Sequence, residues 1–569
     1  MIQFKYPLLA AATLTVLLAA CGGSGSTPVA VTERQTAYGA IEGVDNSTAN
    51  GTYAWLGVPF AKPPVGSLRW KSPVEPSAWS TKLATKSFGN ACLQNGRIYG
   101  PGSNNKYDAT IGTTLNTPVG SEDCLTLNIW RPASADTNLP VLFFIYGGSN
   151  ISGYTADPVY DGAALAKNAN AVVVTANYRV GPLGFFNLPQ LKTGAGANDA
   201  SGNFALLDNI QALKFVKQNI GNFGGNAGNV TVMGQSAGAI NTWALMTSPL
   251  TTGLFHKAIP ISGGISLASN LPPGSLPTLN PASSFLTQAN SLLYNLLIAD
   301  GKATDTASAK TYVATQTDTQ IADYMRAKDG GTLLSTLLAK GLTSSGPIPD
   351  GAVIPTDPIG AIAAGNYRKI PVLAGNTADE GKLFAPFLPL LGGPAGMIVT
   401  DAVRFNMMFT FNPDAAPTLT SADILNSAYL PVATPSTGYN AKTALLASLF
   451  TTASRNNVLN TLKTQQANVW FYRFDWANEP APWNEVYGAA HAFDLPFIFG
   501  NFGPSLFSNA VNTANRPGRL ALSNAMMATV GAFIRNGDPN NAGLGVSWPA
   551  WPATLSFNAS NSAAQISVQ

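Results

Sequence analysis

The sequence predicts an α/β fold, with a mostly parallel central sheet, helices on both of its faces and a helical insertion. Three observations carry that prediction. Short β-branched or aromatic runs recur at 141–146, 171–176, 229–233, 371–374 and 469–476 and read as buried strands. Helical stretches lie between them, as at 203–219, where Phe204, Leu207, Ile210, Leu213, Phe215 and Val216 recur at helical spacing. Strands and helices that alternate in this way form parallel sheets covered on both sides. Finally, 46% of the 569 residues are apolar and 11% charged, so the chain can bury a large core around one sheet.

In chain order, the first 20 residues carry Lys5 and then an apolar stretch from Leu8 to Ala20. That stretch is too short to span a bilayer, which needs roughly 20 apolar residues. Together with Leu18-Ala19-Ala20-Cys21-Gly22 it resembles a bacterial lipoprotein signal, in which the leader is removed and Cys21 is lipidated. An ordinary secretory signal is the alternative, and either one exports the protein. The expected location is therefore the cell envelope, lipid-anchored and by the resemblance of Gly22 in the outer membrane, or else periplasmic or secreted. Residues 21–34 open on a Gly/Ser-rich run and read as a flexible tether, which leaves 35–569 as one domain.

The chain has three cysteines. Lipidation of Cys21 leaves Cys92 and Cys124 to pair across a loop of about 30 residues, a closure worth on the order of 3 kcal/mol in an oxidising compartment. Two buried free thiols are the other reading. Two histidines and two remaining cysteines supply few nitrogen or sulfur ligands, so no metal site is assigned, although an all-oxygen calcium site stays open. A net charge of +3 without a long basic run argues against a nucleic-acid partner.

Residues 266–345 break the alternation. They are rich in Ser, Thr, Leu and Ala, have Pro near the start and show no strand signal, so they read as a helical insertion placed to cap a pocket. Their low charge and few aromatics predict a mainly aliphatic, neutral lining.

Chemistry enters at Gly234-Gln235-Ser236-Ala237-Gly238, which follows the strand read at 229–233. A G-x-S-x-G pattern in that context places the serine on a tight strand-to-helix turn, where bulk at Gly234 or Gly238 would collide with neighbouring backbone. A serine hydroxyl becomes a nucleophile when a base takes its proton, and only His256 and His491 supply an imidazole. The imidazole in turn needs a carboxylate on its other nitrogen, and Asp379 and Glu380 stand just beyond the strand read at 371–374. Asp494 lies too close in sequence to His491 to be preferred.

The run from Phe223 to Gly238 resembles the serine signature of the type-B carboxylesterases, the family that includes the cholinesterases, and Glu122-Asp123-Cys124-Leu125-Thr126-Leu127-Asn128 matches a second signature. The resemblance extends over roughly 35–555. It implies an α/β-hydrolase fold and a triad of Ser236, Glu380 and His491, the histidine lying in Gly488-Ala489-Ala490-His491-Ala492-Phe493-Asp494. It also implies an oxyanion hole of the amides of Gly148, Ser149 and Ala237, with Ser262 supporting the triad from behind. Ser149 stands where the family has a third glycine and Asn150 where it has an aromatic. These departures predict a differently shaped loop and a more polar or roomier pocket.

The implied function is hydrolysis of small-molecule carboxylic esters through an acyl-enzyme. Alternatives are a non-catalytic adhesion or recognition protein on the same fold, or a hydrolase of amides, carbamates or thioesters. No cofactor is implied, because side chains, amides and water suffice. The membrane enters only through Cys21, and oligomeric state is not read from the sequence.

Overall fold

The computed structural model describes residues 30–103, 105–342 and 344–569. The leader, Cys21 and most of the tether lie outside the described residues. Strand pairing begins at Glu33, inside the segment read as tether, because Glu33–Thr36 pairs with Gly39–Glu42 as a tight hairpin.

Eleven strands form the main sheet. In chain order they are β1 (Val44–Asn46), β2 (Thr52–Pro59), β3 (Thr126–Pro132), β4 (Leu139–Ile145), β5 (Val172–Ala176) and β6 (Gly225–Gln235). The remaining five are β7 (Lys257–Ile261), β8 (Val372–Thr377), β9 (Val469–Phe474), β10 (Thr554–Ala559) and β11 (Ala564–Val568). Their spatial order is β11-β10-β9-β8-β7-β6-β4-β5-β3-β2-β1. The centre, from β5 through β4 to β10, is parallel, and both margins are antiparallel.

Every residue of β4, β5, β7 and β8 is buried, as a parallel strand covered on both faces requires. Helices α1 (Ala163–Ala169), α2 (Phe204–Asn219), α3 (Ala237–Thr247) and α8 (Arg516–Asn536) provide the cover. The α1 and α8 helices pack on each other and α2 packs on α3, and both pairs lie on the central strands β4 and β6 or their neighbours.

Residues 266–345 hold α4 (Ala282–Ala299), α5 (Thr306–Ala314), α6 (Asp318–Arg326) and α7 (Gly330–Ala339), with no strand among the described residues. Side-chain caps set three of these helix starts. Asp305 accepts from Ser308 N (2.7 Å), Thr317 from Gln320 N (3.2 Å) and Asp329 from Thr332 N (2.8 Å). Each such cap is worth about 1 kcal/mol. Cys92 and Cys124 are joined in a disulfide, both sulfurs lying in the buried core.

Candidate active site

The carboxyl ends of β4, β6, β7, β8 and β9, which are neighbours in the sheet, carry the groups singled out in the sequence. In an open parallel sheet this edge is where ligands bind. Ser236 follows β6 directly and begins α3, with φ 58° and ψ −122°. Those angles are costly for a non-glycine residue, on the order of 1–3 kcal/mol, and the surroundings enforce them. The Ser236 amide donates to Ile261 O on β7 (2.8 Å), and a Cβ at Gly238 would strike Ile145 O at the end of β4. The turn is therefore clamped from both neighbouring strands, which leaves Ser236 itself partly exposed.

Glu380 opens a short turn past the end of β8 and is 2% exposed. Its Oε1 accepts from Ser262 Oγ (2.5 Å), Asn376 Nδ2 (2.9 Å) and Thr377 N (2.9 Å). Its Oε2 meets His491 Nδ1 in a short contact. Burial pushes the carboxyl up, but the His491 imidazole and the donors on both oxygens outweigh it, so the group lies below the ordinary glutamate range. Glu380 is thus held as an anion against the imidazole. His491 is 3% exposed, and the Phe384 ring lies 4.8 Å from it between centroids.

Asp379 and Asp494, the other acids weighed, are engaged elsewhere. Asp379 pairs with Lys382 (3.3 Å) and accepts from Ala489 N (3.2 Å), which ties the acid turn to the histidine loop. Asp494 accepts from the Tyr472 hydroxyl (2.8 Å), and burial pushes it up to about 6. The other histidine, His256, accepts from Val230 N (3.2 Å) near the beginning of the parallel part of β6, at the opposite end of the sheet from Ser236.

The structure brings Glu380, His491 and Ser262 into one hydrogen-bonded chain. It does not bond His491 to Ser236. Ser236 Oγ makes no hydrogen bond among the described residues, and the partner of His491 Nε2 is the side-chain amide of Gln235, at 3.0 Å. Gln235 and Asn376 were both missed in the sequence. Gln235 occupies the free position of the motif, and Asn376 reads only as the polar end of a strand.

The loop after β4 lies against the serine, for a Cβ on Gly147 would sit 2.9 Å from Ser236 Cβ. Gly148, Ser149 and Asn150 have φ of 100°, 56° and 57°. Ser149 therefore adopts the left-handed conformation a glycine would take with less strain, and it keeps its amide. The amides of Gly148 and Ser149 donate to no other described residue, and Ala237, as first residue of α3, has no intrahelical acceptor. Asn150 is buried, with Oδ1 accepting from Asn241 Nδ2 of α3 (2.8 Å). Its side chain braces the loop against the helix.

Delivery of all these groups from neighbouring strand ends is how an α/β-hydrolase assembles its site, and comparison with known proteins gives the same class. The chain belongs to the carboxylesterase family, which it matches over residues 30–566, and it is a carboxylic ester hydrolase. It is 32% identical over 523 residues to the para-nitrobenzyl esterase of Bacillus subtilis (strain 168), covering 91% of this chain and 92% of that one. It is 33% identical over 528 residues to the fumonisin B1 esterase of Sphingopyxis macrogoltabida, covering 91% and 84%. Among solved structures, a PNB esterase superposes with a TM-score of 0.70 at 27% identity, covering 95% of this chain and 97% of that one. A Geobacillus stearothermophilus carboxylesterase gives 0.69 at 29% identity, covering 95% and 98%.

Proposed function

We propose that the protein hydrolyses carboxylic esters through an acyl-enzyme on Ser236. The Oγ attacks the ester carbonyl while His491 Nε2 takes its proton, and Glu380 stabilises the resulting imidazolium. Oxygen charge on the tetrahedral intermediate is received by the amides of Gly148, Ser149 and Ala237. Collapse expels the alcohol, which takes the proton from His491. Water then adds to the acyl group, gives its proton to His491, and the acid leaves as Ser236 recovers its hydrogen.

The observation that carries this reading is the buried contact of His491 with Glu380, held by three further donors, at the edge where Ser236 stands in a strained turn. A recognition protein would not need that arrangement. On this reading α4 to α7 cap the site, and Cys21 anchors the exported enzyme in the cell envelope. The test is turnover of p-nitrophenyl acetate by Ser236→Ala. Loss of at least about 10³-fold with an unchanged circular dichroism spectrum is expected, and near wild-type turnover would sink the assignment.

A further inference from the structure

A pocket adjoins the oxyanion loop, and the steps above make no use of it. Ile151, Gly181 and Ser345 line it, and each is bonded to the loop. Ile151 N donates to Gly148 O (3.0 Å), while Gly181 N and Ser345 Oγ donate to Asn150 O (2.6 and 2.9 Å). The helical insertion adds Leu334 and Leu337, so that part of the wall is aliphatic. The disulfide-closed loop between Cys92 and Cys124 adds Asn95 and Arg97, which are not.

Arg97 is conspicuous by its lack of partners. Its side chain makes no hydrogen bond or ion pair among the described residues, and its Nε is shut away from solvent. Asn95 Oδ1 is likewise buried and unpaired. Gln288, on the same wall, is bonded through both its nitrogen and its oxygen, donating to Ser344 O (2.7 Å) and accepting from Ser344 N (2.6 Å). Gln288 is therefore engaged within the wall, and the Arg97 guanidinium is left over together with the Asn95 side-chain carbonyl oxygen. A partly desolvated guanidinium is costly without a counter-charge, and its planar fork matches a carboxylate. Tyr99, two residues beyond Arg97, brings its phenol near the Ser149 hydroxyl, so the Arg97 segment and the oxyanion loop share a boundary.

We infer that this pocket takes the distal end of the substrate, and that Arg97 binds a carboxylate carried there. The substrate class is an ester with an apolar chain ending in a free carboxylate, such as a hemi-ester of an aliphatic dicarboxylic acid. This rests on the ester-hydrolase reading and specifies which ester that site selects. Arg97 acts on binding of the remote carboxylate and takes no part in bond making.

The test compares mono-p-nitrophenyl esters of dicarboxylic acids, from succinic to dodecanedioic, with the neutral p-nitrophenyl esters of equal chain length, on wild type, Arg97→Met and Arg97→Lys. At one or more lengths wild type should cleave the charged ester with at least the kcat/KM of its neutral match. There Arg97→Met should lose about 10-fold or more on the charged ester, through KM, with less than about 2-fold change on the neutral one, and Arg97→Lys should recover part of the loss. The neutral ester reports whether each variant is folded. Equal effects of Arg97→Met on both esters, or a wild-type preference for the neutral ester at every length, would overturn the inference while leaving the esterase reading intact. Cleavage of neither series by wild type would overturn both.

Discussion

His491 Nε2 and the side-chain Nε2 of Gln235 lie 3.0 Å apart. Because His491 Nδ1 is engaged by Glu380, the ring proton belongs on Nδ1, and Nε2 accepts from the Gln235 amide. The lone pair that receives the Ser236 proton in the proposed mechanism is thus already partnered, by a neutral donor. Gln235 fixes the ring from the side away from Glu380 and places no charge at Nε2.

Replacing that neutral amide with a carboxylate has a predictable sign. An anion facing Nε2 favours the imidazolium, which cannot act as a base. Gln235→Glu should therefore move the acid limb of the kcat/KM profile to higher pH, by about half a unit to one unit. A limb that stays in place, or moves to lower pH, would show that Gln235 does not face the base during turnover.

Ser262 tests how much the orientation of Glu380 contributes. Its hydroxyl is one of three donors to Glu380 Oε1, the others being Asn376 Nδ2 and Thr377 N. Removing one hydrogen bond to a charged group costs about 1.5–3 kcal/mol, so Ser262→Ala should lower kcat by roughly 10- to 100-fold with little change in KM. Wild-type kcat would mean that Asn376 and the Thr377 amide suffice alone.

Glu479 gives a prediction about stability. Both of its carboxylate oxygens are buried with no hydrogen bond of good geometry, and burial pushes it up to about 8, a push that its own backbone N–H and nearby Lys382 oppose and Asp379 reinforces. The unfolded chain releases this proton near pH 4.3, so from there to about 8 the native state holds the additional proton. The stability it contributes is complete below about pH 4, and falls as pH rises to about 8. Asp494 and Asp157, each pushed up to about 6 by burial, act with the same sign over a lower range. Glu479→Gln should thus unfold with a larger free energy than wild type at pH 8, by an amount on the order of a few kcal/mol that shrinks toward pH 5, as measured by denaturant titration at each pH. A difference independent of pH would show that Glu479 is not the titrating group.

The strands that were legible are those whose residues announce burial on both faces, such as Val172–Ala176 and Leu139–Ile145. Lys257–Ile261 was not, because Pro260 and Lys257 argue against a central strand; the structure pairs it between β6 and β8 all the same. Ser236 could be found from its local turn chemistry alone. Its partners could not, because Glu380 and His491 lie far along the chain and meet only when β8 and β9 align. The sequence distinguishes Glu380 from Asp379 only through its resemblance to the family. In the structure the two acids part, Asp379 turning toward Lys382 and the Ala489 amide and Glu380 toward His491. Gln235 was illegible because a side chain at the end of a buried strand gains its role from whatever ring the fold brings over it.

Ser236, activated by His491, is the proposed nucleophile. Its most direct test treats the purified protein with a small organophosphonate and locates the adduct by peptide mass analysis. A single adduct on Ser236 that is absent in His491→Ala is the predicted result. A folded wild-type protein with no adduct, or with one on another residue, would rule out Ser236 as the nucleophile.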